Sequence, residues 1–437
     1  MRLRDRLIKG TTLNLIAVAF NQGSTLFSNL FVARILMKQG FGEYAMVQST
    51  LLTLTALSQL STGYTASKYI AEYRSIAPER AGRIMGLCSL VSIFMAIMGA
   101  LLLIGIAPWI SKSVLHVPHL SKAFLIGSIF LFFSAINGYQ LGALSGLESY
   151  AILAKASVFS GIIAVVSVSL GALYGGVNGA ILGLSISALI RCIIHNGSLR
   201  MEIQRQGIIP QYYGSFTAEK AIVLKFALPA SIAGYYSIPM IWMGNYILVR
   251  QPSGYAEMAH FAAAMNVKSL LLFIPVVMNT VASSILNNVR GNRDSAQYSR
   301  IYNFNVVCVF LSVSVMAAFL GVWGKYVLEI FGKDFGAGKV VLVLLLISGV
   351  FEATTSSIYQ RIQNSGRMWL SFLYINLPLG PLFVLLSYFL IPEYGAKGLG
   401  FANVCMVMLS FGGTIALVKY VNSHEQPAPI AVSTDVA

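Results

Sequence analysis

Windows of twenty or more residues without a single Asp, Glu, Lys or Arg recur along this chain from end to end. They cover residues 10–33, 44–67, 84–111, 123–147, 156–190, 226–249, 269–289, 301–324, 368–392 and 398–418. One more apolar stretch, about 340–361, carries Glu352 in its middle. Crossing the hydrocarbon of a bilayer takes about 20 apolar residues as a helix but only about 9–11 as a barrel strand. The windows are therefore helical spans. Residues 156–190 hold the turn sequence Gly175-Gly176-Val177-Asn178-Gly179 and are read as two helices, which brings the expected total to twelve. The first window, preceded by Met1-Arg2-Leu3-Arg4-Asp5-Arg6, contains Asn14, Asn21 and Gln22 and no clear cleavage site, so it is read as a retained span.

Composition excludes the main alternatives. Hydrophobic residues are 57% and charged residues 10% of the 437, against about 25% charged in soluble domains. Neither a water-soluble enzyme nor a disordered chain has that balance. The net charge of +15 would suggest nucleic acid on a soluble protein; here it is assigned to basic loops and a basic cavity. Cys88, Cys192, Cys308 and Cys405 all lie in apolar stretches without metal-ligand spacing, and the five histidines form no zinc grouping. No Gly-x-x-x-x-Gly-Lys-Ser/Thr phosphate loop is present. No cofactor, metal or catalytic group is expected.

The distribution of Lys and Arg sets the expected orientation. With twelve spans, 20 of the 30 basic residues, Arg191 among them, fall on the side of the two termini. Nine fall on the other side, and Lys268 lies within a span. Both termini are thus expected in the cytoplasm.

The chain also repeats itself at half its length. Lys9, Asn29, Arg34 and Arg74 match Lys225, Asn245, Arg250 and Arg290, each 216 residues later. Tyr44-Ala45 resembles Phe261-Ala262 at 217, Gly176 and Gly179 match Gly395 and Gly398 at 219, and Ser145-Gly146 matches Ser365-Gly366 at 220. An ordered series of this kind marks two homologous halves. Six spans per half is an even number, so both halves run in the same sense, about an axis along the membrane normal, around a central cavity. The expected organisation is an N-terminal six-helix bundle over 1–205, a cytoplasmic linker over 206–220, a C-terminal six-helix bundle over 221–423 and a short tail over 424–437.

This plan, with "ARILMKQGFGEYA" after the first span and "YGGVNGAILG" and "EYGAKGLG" before the sixth and twelfth, resembles the bacterial polysaccharide flippases, the Wzx-type O-antigen and exopolysaccharide transporters of the MOP superfamily. The resemblance covers nearly the whole chain. It implies a fold shared with the multidrug and toxin extrusion (MATE) transporters, a bacterial inner-membrane location, and a cargo of undecaprenyl-diphosphate-linked oligosaccharide carried from the cytoplasmic to the periplasmic leaflet. The implied partners are that lipid-linked oligosaccharide, membrane lipids and polysaccharide polymerase or assembly proteins, with no nucleic acid. The chain is expected to act as a monomer. A MATE-like exporter of drugs or ions would favour acidic and aromatic cavity residues. A membrane polymerase or ligase would carry a long periplasmic loop, and the periplasmic connections here are short.

Such a cargo calls for positive charge facing a diphosphate and for polar groups facing sugars. Lys268 is the one basic residue read as lying well inside a span. A lysine facing lipid there costs at least about 2.5–3.5 kcal/mol, so it should face the interior, beside Asn266; the bland alternative is a lysine snorkelling to the interface. Glu352 is the one mid-span acid and the candidate for H+ or Na+ coupling, with an ion pair to Lys268 as its structural alternative. Arg34 and Arg250 are candidate cavity caps or plain interface anchors. Asn29 and Asn245 are candidate sugar ligands or helix-to-helix hydrogen bonders. Lys9, Lys68 and Lys225 would form a cytoplasmic funnel, and Pro229, Pro239 and Pro275 would act as hinges.

Overall fold

A computed structural model gives the architecture. It describes residues 3–213, 219–220, 222–280, 282, 295–364 and 368–423. The fold is all-helical, with no strand among the described residues. The main helices are α1 (Leu3–Gln59), α2 (Thr62–Tyr73), α3 (Pro78–Trp109), α4 (Ser121–Gly146), α5 (Tyr150–Gln206), α6 (Leu228–Tyr235), α7 (Ser237–Val249), α8 (Gly254–Leu271), α9 (Ser295–Val322), α10 (Lys339–Asn364), α11 (Leu377–Tyr394) and α12 (Ala396–Ser423). Nine stretches among the described residues are long and apolar enough to cross a membrane. That differs from the expected twelve for identifiable reasons. Two of the nine, 45 and 57 residues long, exceed the ~20 residues of one crossing, and each bends back on itself. The stretch over α6 and α7 is broken into short helices.

The bends follow from local chemistry. In α5 the chain reverses at Gly176, at φ 57 and ψ −140, a region open only to glycine without strain. Its two arms then pack antiparallel through small residues. Any Cβ on Gly171 or Gly179 would strike the other's backbone, and one on Gly183 would strike Ser167. The Ser167 hydroxyl donates to the Gly183 carbonyl at 3.0 Å. In the second half, Gly395 adopts φ 55 and ψ −133, and Gly398 sits against the Leu390 carbonyl in the same way. α1 reverses at Met37, φ 59, and its repeat mate Ser253 has φ 58. His116 and Gly332, again 216 apart, also have positive φ. The internal repeat is therefore written into the backbone as well as the sequence.

Prolines set the breaks. A proline removes the backbone bond to the carbonyl one turn earlier. The helix interrupts at Tyr236, three residues before Pro239, and at Leu272, three residues before Pro275. A π-helical turn over Val223–Ala227 leads into Leu228-Pro229, and another over Phe372–Asn376 leads into Leu377-Pro378. Wider turns of this kind relieve the ring's clash with the preceding turn.

The core has a shape that matters for function. One continuous apolar core joins both halves at the end carrying the turns at Met37, His116, Ser253 and Gly332: Val32, Phe41 and Phe124 pack in it with Leu248, Tyr255 and Phe335. Toward the other end it divides. Ile70, Met85, Leu144 and Leu199 form a core almost wholly within the N-terminal half, while Ile362, Ile375, Leu417 and Val418 form one within the C-terminal half. The bundles share one core at one end and have separate cores at the other, where Phe226 still packs on Tyr64 and Tyr69. Outward faces carry exposed Phe94, Phe159 and Phe319, a surface suited to lipid.

Gly176→Ala should lose about 1–3 kcal/mol of stability. Gly175→Ala, at an ordinary helical backbone with open space around its Cβ, should be near neutral. Thermal unfolding in detergent compares the two.

Candidate functional site

The joined end is held by polar contacts that cross between the halves. The Asn29 amide donates to Asn266 Oδ1 at 2.8 Å, and the Asn245 amide donates to Ser49 Oγ at 2.9 Å. Asn29 and Asn245 are repeat mates at 216; Ser49 and Asn266 correspond at 217. Each half thus gives the same bond and receives the same bond, the self-complementary pattern of a two-fold interface. Tyr44 Oη donates to Asn29 Oδ1 at 3.4 Å, and Asn266 passes the chain on to the Ala262 carbonyl at 2.8 Å. Trp242 Nε1 reaches Thr50 Oγ1 at 2.9 Å.

The arginines continue the exchange nearer the turns. Arg34 Nε donates to the Ile330 carbonyl at 2.7 Å, and its mate Arg250 meets His116. Both arginines are exposed, and each is tied to the opposite half rather than to the other. Gly42 lies against the Tyr255 backbone, where no Cβ could fit. That explains one glycine of the "QGFGEYA" stretch: it lets the two halves meet.

Lys268 is 3% exposed, on α8 between Val267 and Leu271 of the joined core. Its Nζ lies 2.8 Å from Glu352 Oε2 on α10 and donates to Asn403 Oδ1 on α12 at 3.2 Å. The structure therefore brings together the two mid-span charges singled out in the sequence. The pair is uneven, because the Glu352 side chain is 46% exposed. A carboxylate facing hydrocarbon is costly, so this exposure belongs to water. Glu352 stands where the joined core gives way to the C-terminal core, and on the next turns Asn279 donates to Ser356 at 3.1 Å and accepts from Ser357 at 2.8 Å.

At the divided end, Lys68 is exposed and sits 4.1 Å above the Phe226 ring, which also stacks on Tyr64. The side chains of Lys9 and Lys225 lie outside the described residues.

One placement differs from the sequence reading. Arg191 was grouped with the terminal-side loops because it ends a charge-free window. In the structure it stands mid-arm in α5, well past the Gly176 turn and well before Gly207. His195, Asn137 and Gln140 beside it were also missed. The signal available was the repeat: Asn137 and Gln140 correspond, at 220, to Ser357 and Gln360 of the C-terminal polar cluster.

No known protein-family profile matches the chain, and no curated protein sequence matches it. Solved structures do. The chain is similar to a multidrug resistance MATE family transporter of the MOP superfamily in its inward-facing conformation, with TM-score 0.74 at 14% identity over 94% of this chain and all of the other. Against an outward-facing MATE family structure the TM-score is 0.66, at 15% identity over 96% and 95%. A MOP superfamily transporter from Pyrococcus furiosus, described as having a binding pocket of reverse polarity, gives 0.67 at 15% identity over 96% and 95%. A Vibrio cholerae MATE transporter gives 0.69 at 12% identity over 97% of each chain. The chain is a multi-pass membrane protein with the MATE transporter fold.

Glu352→Gln strands a buried ammonium, whereas Lys268→Met leaves only a carboxylate that water can reach. Removing one partner of a fully buried pair costs about 3–5 kcal/mol; with Glu352 nearly half exposed, about 2 kcal/mol is expected for Glu352→Gln. Lys268→Met should cost less, and the double variant should lie nearer Lys268→Met. Detergent unfolding midpoints give the order.

Proposed function

We propose that this chain is a flippase for lipid-linked oligosaccharide. It takes an undecaprenyl-diphosphate-linked glycan from the cytoplasmic to the periplasmic leaflet by alternating access of two six-helix halves, twelve crossings in all. The observation that carries this reading is the buried Lys268 ammonium within the joined core, paired with Glu352 where that core gives way to the C-terminal one. The tail of such a cargo stays in lipid, while its head group needs a hydrated path with fixed positive charge across about 30 Å of hydrocarbon. The basic excess of 30 to 15 suits an anionic head group.

The remaining assignments follow from that cycle. The chain sits in the bacterial inner membrane with both termini cytoplasmic, and the cleft between the divided cores opens to the cytoplasm. The higher TM-score with an inward-facing MATE structure supports this orientation of the cleft. Asn29, Asn245 and Asn266, with Arg34 and Arg250, close the periplasmic end and become available to sugar and phosphate when it opens. Lys9, Lys68 and Lys225 draw the diphosphate in. Pro229, Pro239 and Pro275 localise bending. Glu352, released from Lys268 as the cargo phosphate arrives, takes up H+ or Na+. The protein works as a monomer beside polysaccharide polymerase and assembly proteins.

A second reading, a MATE-like drug or ion exporter, is favoured by the identity of the structural neighbours. Its cationic cargo would meet the water-facing Glu352 carboxylate of the Lys268 pair, but the basic excess of 30 to 15 favours an anionic one. A polymerase or ligase role has no supporting feature.

The test is made in the host depleted of the protein, by probing diphosphate-lipid-linked glycans with a membrane-impermeant sugar-modifying enzyme. Protected, cytoplasm-facing glycan should accumulate. Lys268→Ala should restore flipping about tenfold less well than the wild type. Normal glycan exposure in a host without a second flippase, together with raised sensitivity to cationic drugs, would instead favour the exporter.

A further inference from the structure

The N-terminal half contains a second mid-membrane cation, and its surroundings differ from those of Lys268. Arg191 and His195 lie one turn apart on one face of α5, a face that also carries the buried Ser187, Ser198 and Glu202. His195 is 1% exposed. The Asn137 amide, on α4, contacts His195 Nδ1 at 2.6 Å and donates to Gln140 Oε1 at 3.3 Å. With Asn137 donating, Nδ1 is the acceptor, so the ring proton sits on Nε2. That Nε2–H has no hydrogen-bond partner, and neither does the buried Arg191 Nε–H.

Both orphans are donors, so the missing partner is an acceptor. It must also carry charge. No carboxylate lies within ion-pair distance of Arg191 among the described residues. Glu202 is about three turns further along, about 16 Å by helical rise, and already holds Gln206 and Arg205. A guanidinium at this depth without a counter-charge is costly. One end of the Asn137–Gln140 network borders open space: Gln140 and Cys192, the neighbour of Arg191 in the chain, line a cavity of about 740 Å³ with the linker residues Ile208, Ile209 and Pro210, and Arg191 and His195 lie behind that lining.

The level is informative as well. Arg191 falls between Ile181 of the joined core and Leu199 of the N-terminal core. Lys268 and Glu352 occupy the matching level in the other half. There the cation is neutralised from within; here it is not.

The geometry points to an anion site in the N-terminal half, in which Arg191 and the Nε2–H of His195 bind a phosphate oxyanion, with Asn137 positioning the imidazole. Arginine's planar fork matches phosphate oxygens. The site stands on its own donors. Assigning its phosphate to the diphosphate of a lipid-linked cargo rests on the flippase reading.

The test is calorimetric binding of inorganic diphosphate and of farnesyl diphosphate to the purified full-length protein in uncharged detergent. Wild type should bind, Arg191→Gln should bind at least about tenfold more weakly, Arg191→Lys should keep part of the affinity, and Lys333→Gln, an exposed charge at the far end, should not change it. Should Arg191→Gln fail to fold, His195→Phe keeps the guanidinium and must still weaken binding several-fold. No binding by wild type, or equal binding by Arg191→Gln or by His195→Phe, overturns the site. Equal affinity for the two probes assigns it to free or headgroup phosphate alike, and tighter binding of farnesyl diphosphate assigns it to a lipid diphosphate. Diphosphate held at Arg191 in a protein whose loss leaves glycan exposure normal would sink the flippase and keep the site. Trapped glycan on depletion with Arg191→Gln binding normally would do the reverse.

Discussion

The structure depends on an exchanged pair of hydrogen bonds. Asn29 gives to Asn266 and Asn245 gives to Ser49, so two repeated halves grip each other by one device used twice. In hydrocarbon a polar side chain must find a partner, and these find one across the interface as well as within their own half. Such bonds are worth about 0.6 kcal/mol on average in membrane proteins and at most about 1.7. With Trp242 and the two arginines, these bonds align the halves while each remains individually weak. The close approach at Gly42 and the apolar core around Phe41 and Phe335 give the joined end its fit.

The same geometry explains where charge is tolerated. At the joined end the apolar core runs unbroken across both halves. Lower down, where one core becomes two, water can enter, and there each half carries one cation. The C-terminal half neutralises Lys268 with Glu352 and Asn403. The N-terminal half leaves Arg191 and His195 with donors unmet. The two halves match where they seal and differ where these cations sit.

Much of this was legible in the sequence. Charge-free windows located the apolar spans, and the lag of 216–220 residues located Gly176 and Gly395, two turn residues that share a backbone conformation. The Lys268–Glu352 pair was readable because each stood alone within an apolar run. Arg191 was not, for a related reason: a search for windows without charge makes every charge a boundary, so a mid-span arginine is pushed to the surface. The Asn137–His195 contact joins residues 58 apart, and only packing brings them together. The exchanged bonds were half visible, since Asn29 and Asn245 were paired by the repeat, but their acceptors lie on other helices.

The most direct measurement of this arrangement is a pair of spin-label distances in the full-length protein with its four cysteines replaced. One pair, at Lys112 and Lys333, spans the halves at the joined end; the other, at Lys38 and Lys112, stays within one half. Replacing Asn29 and Asn245 together by alanine should add a longer cross-half distance and leave the within-half distance unchanged. A cross-half distance identical to that of the intact protein, or an equal shift within the half, would contradict the claim that two rigid bundles are held closed by this exchange.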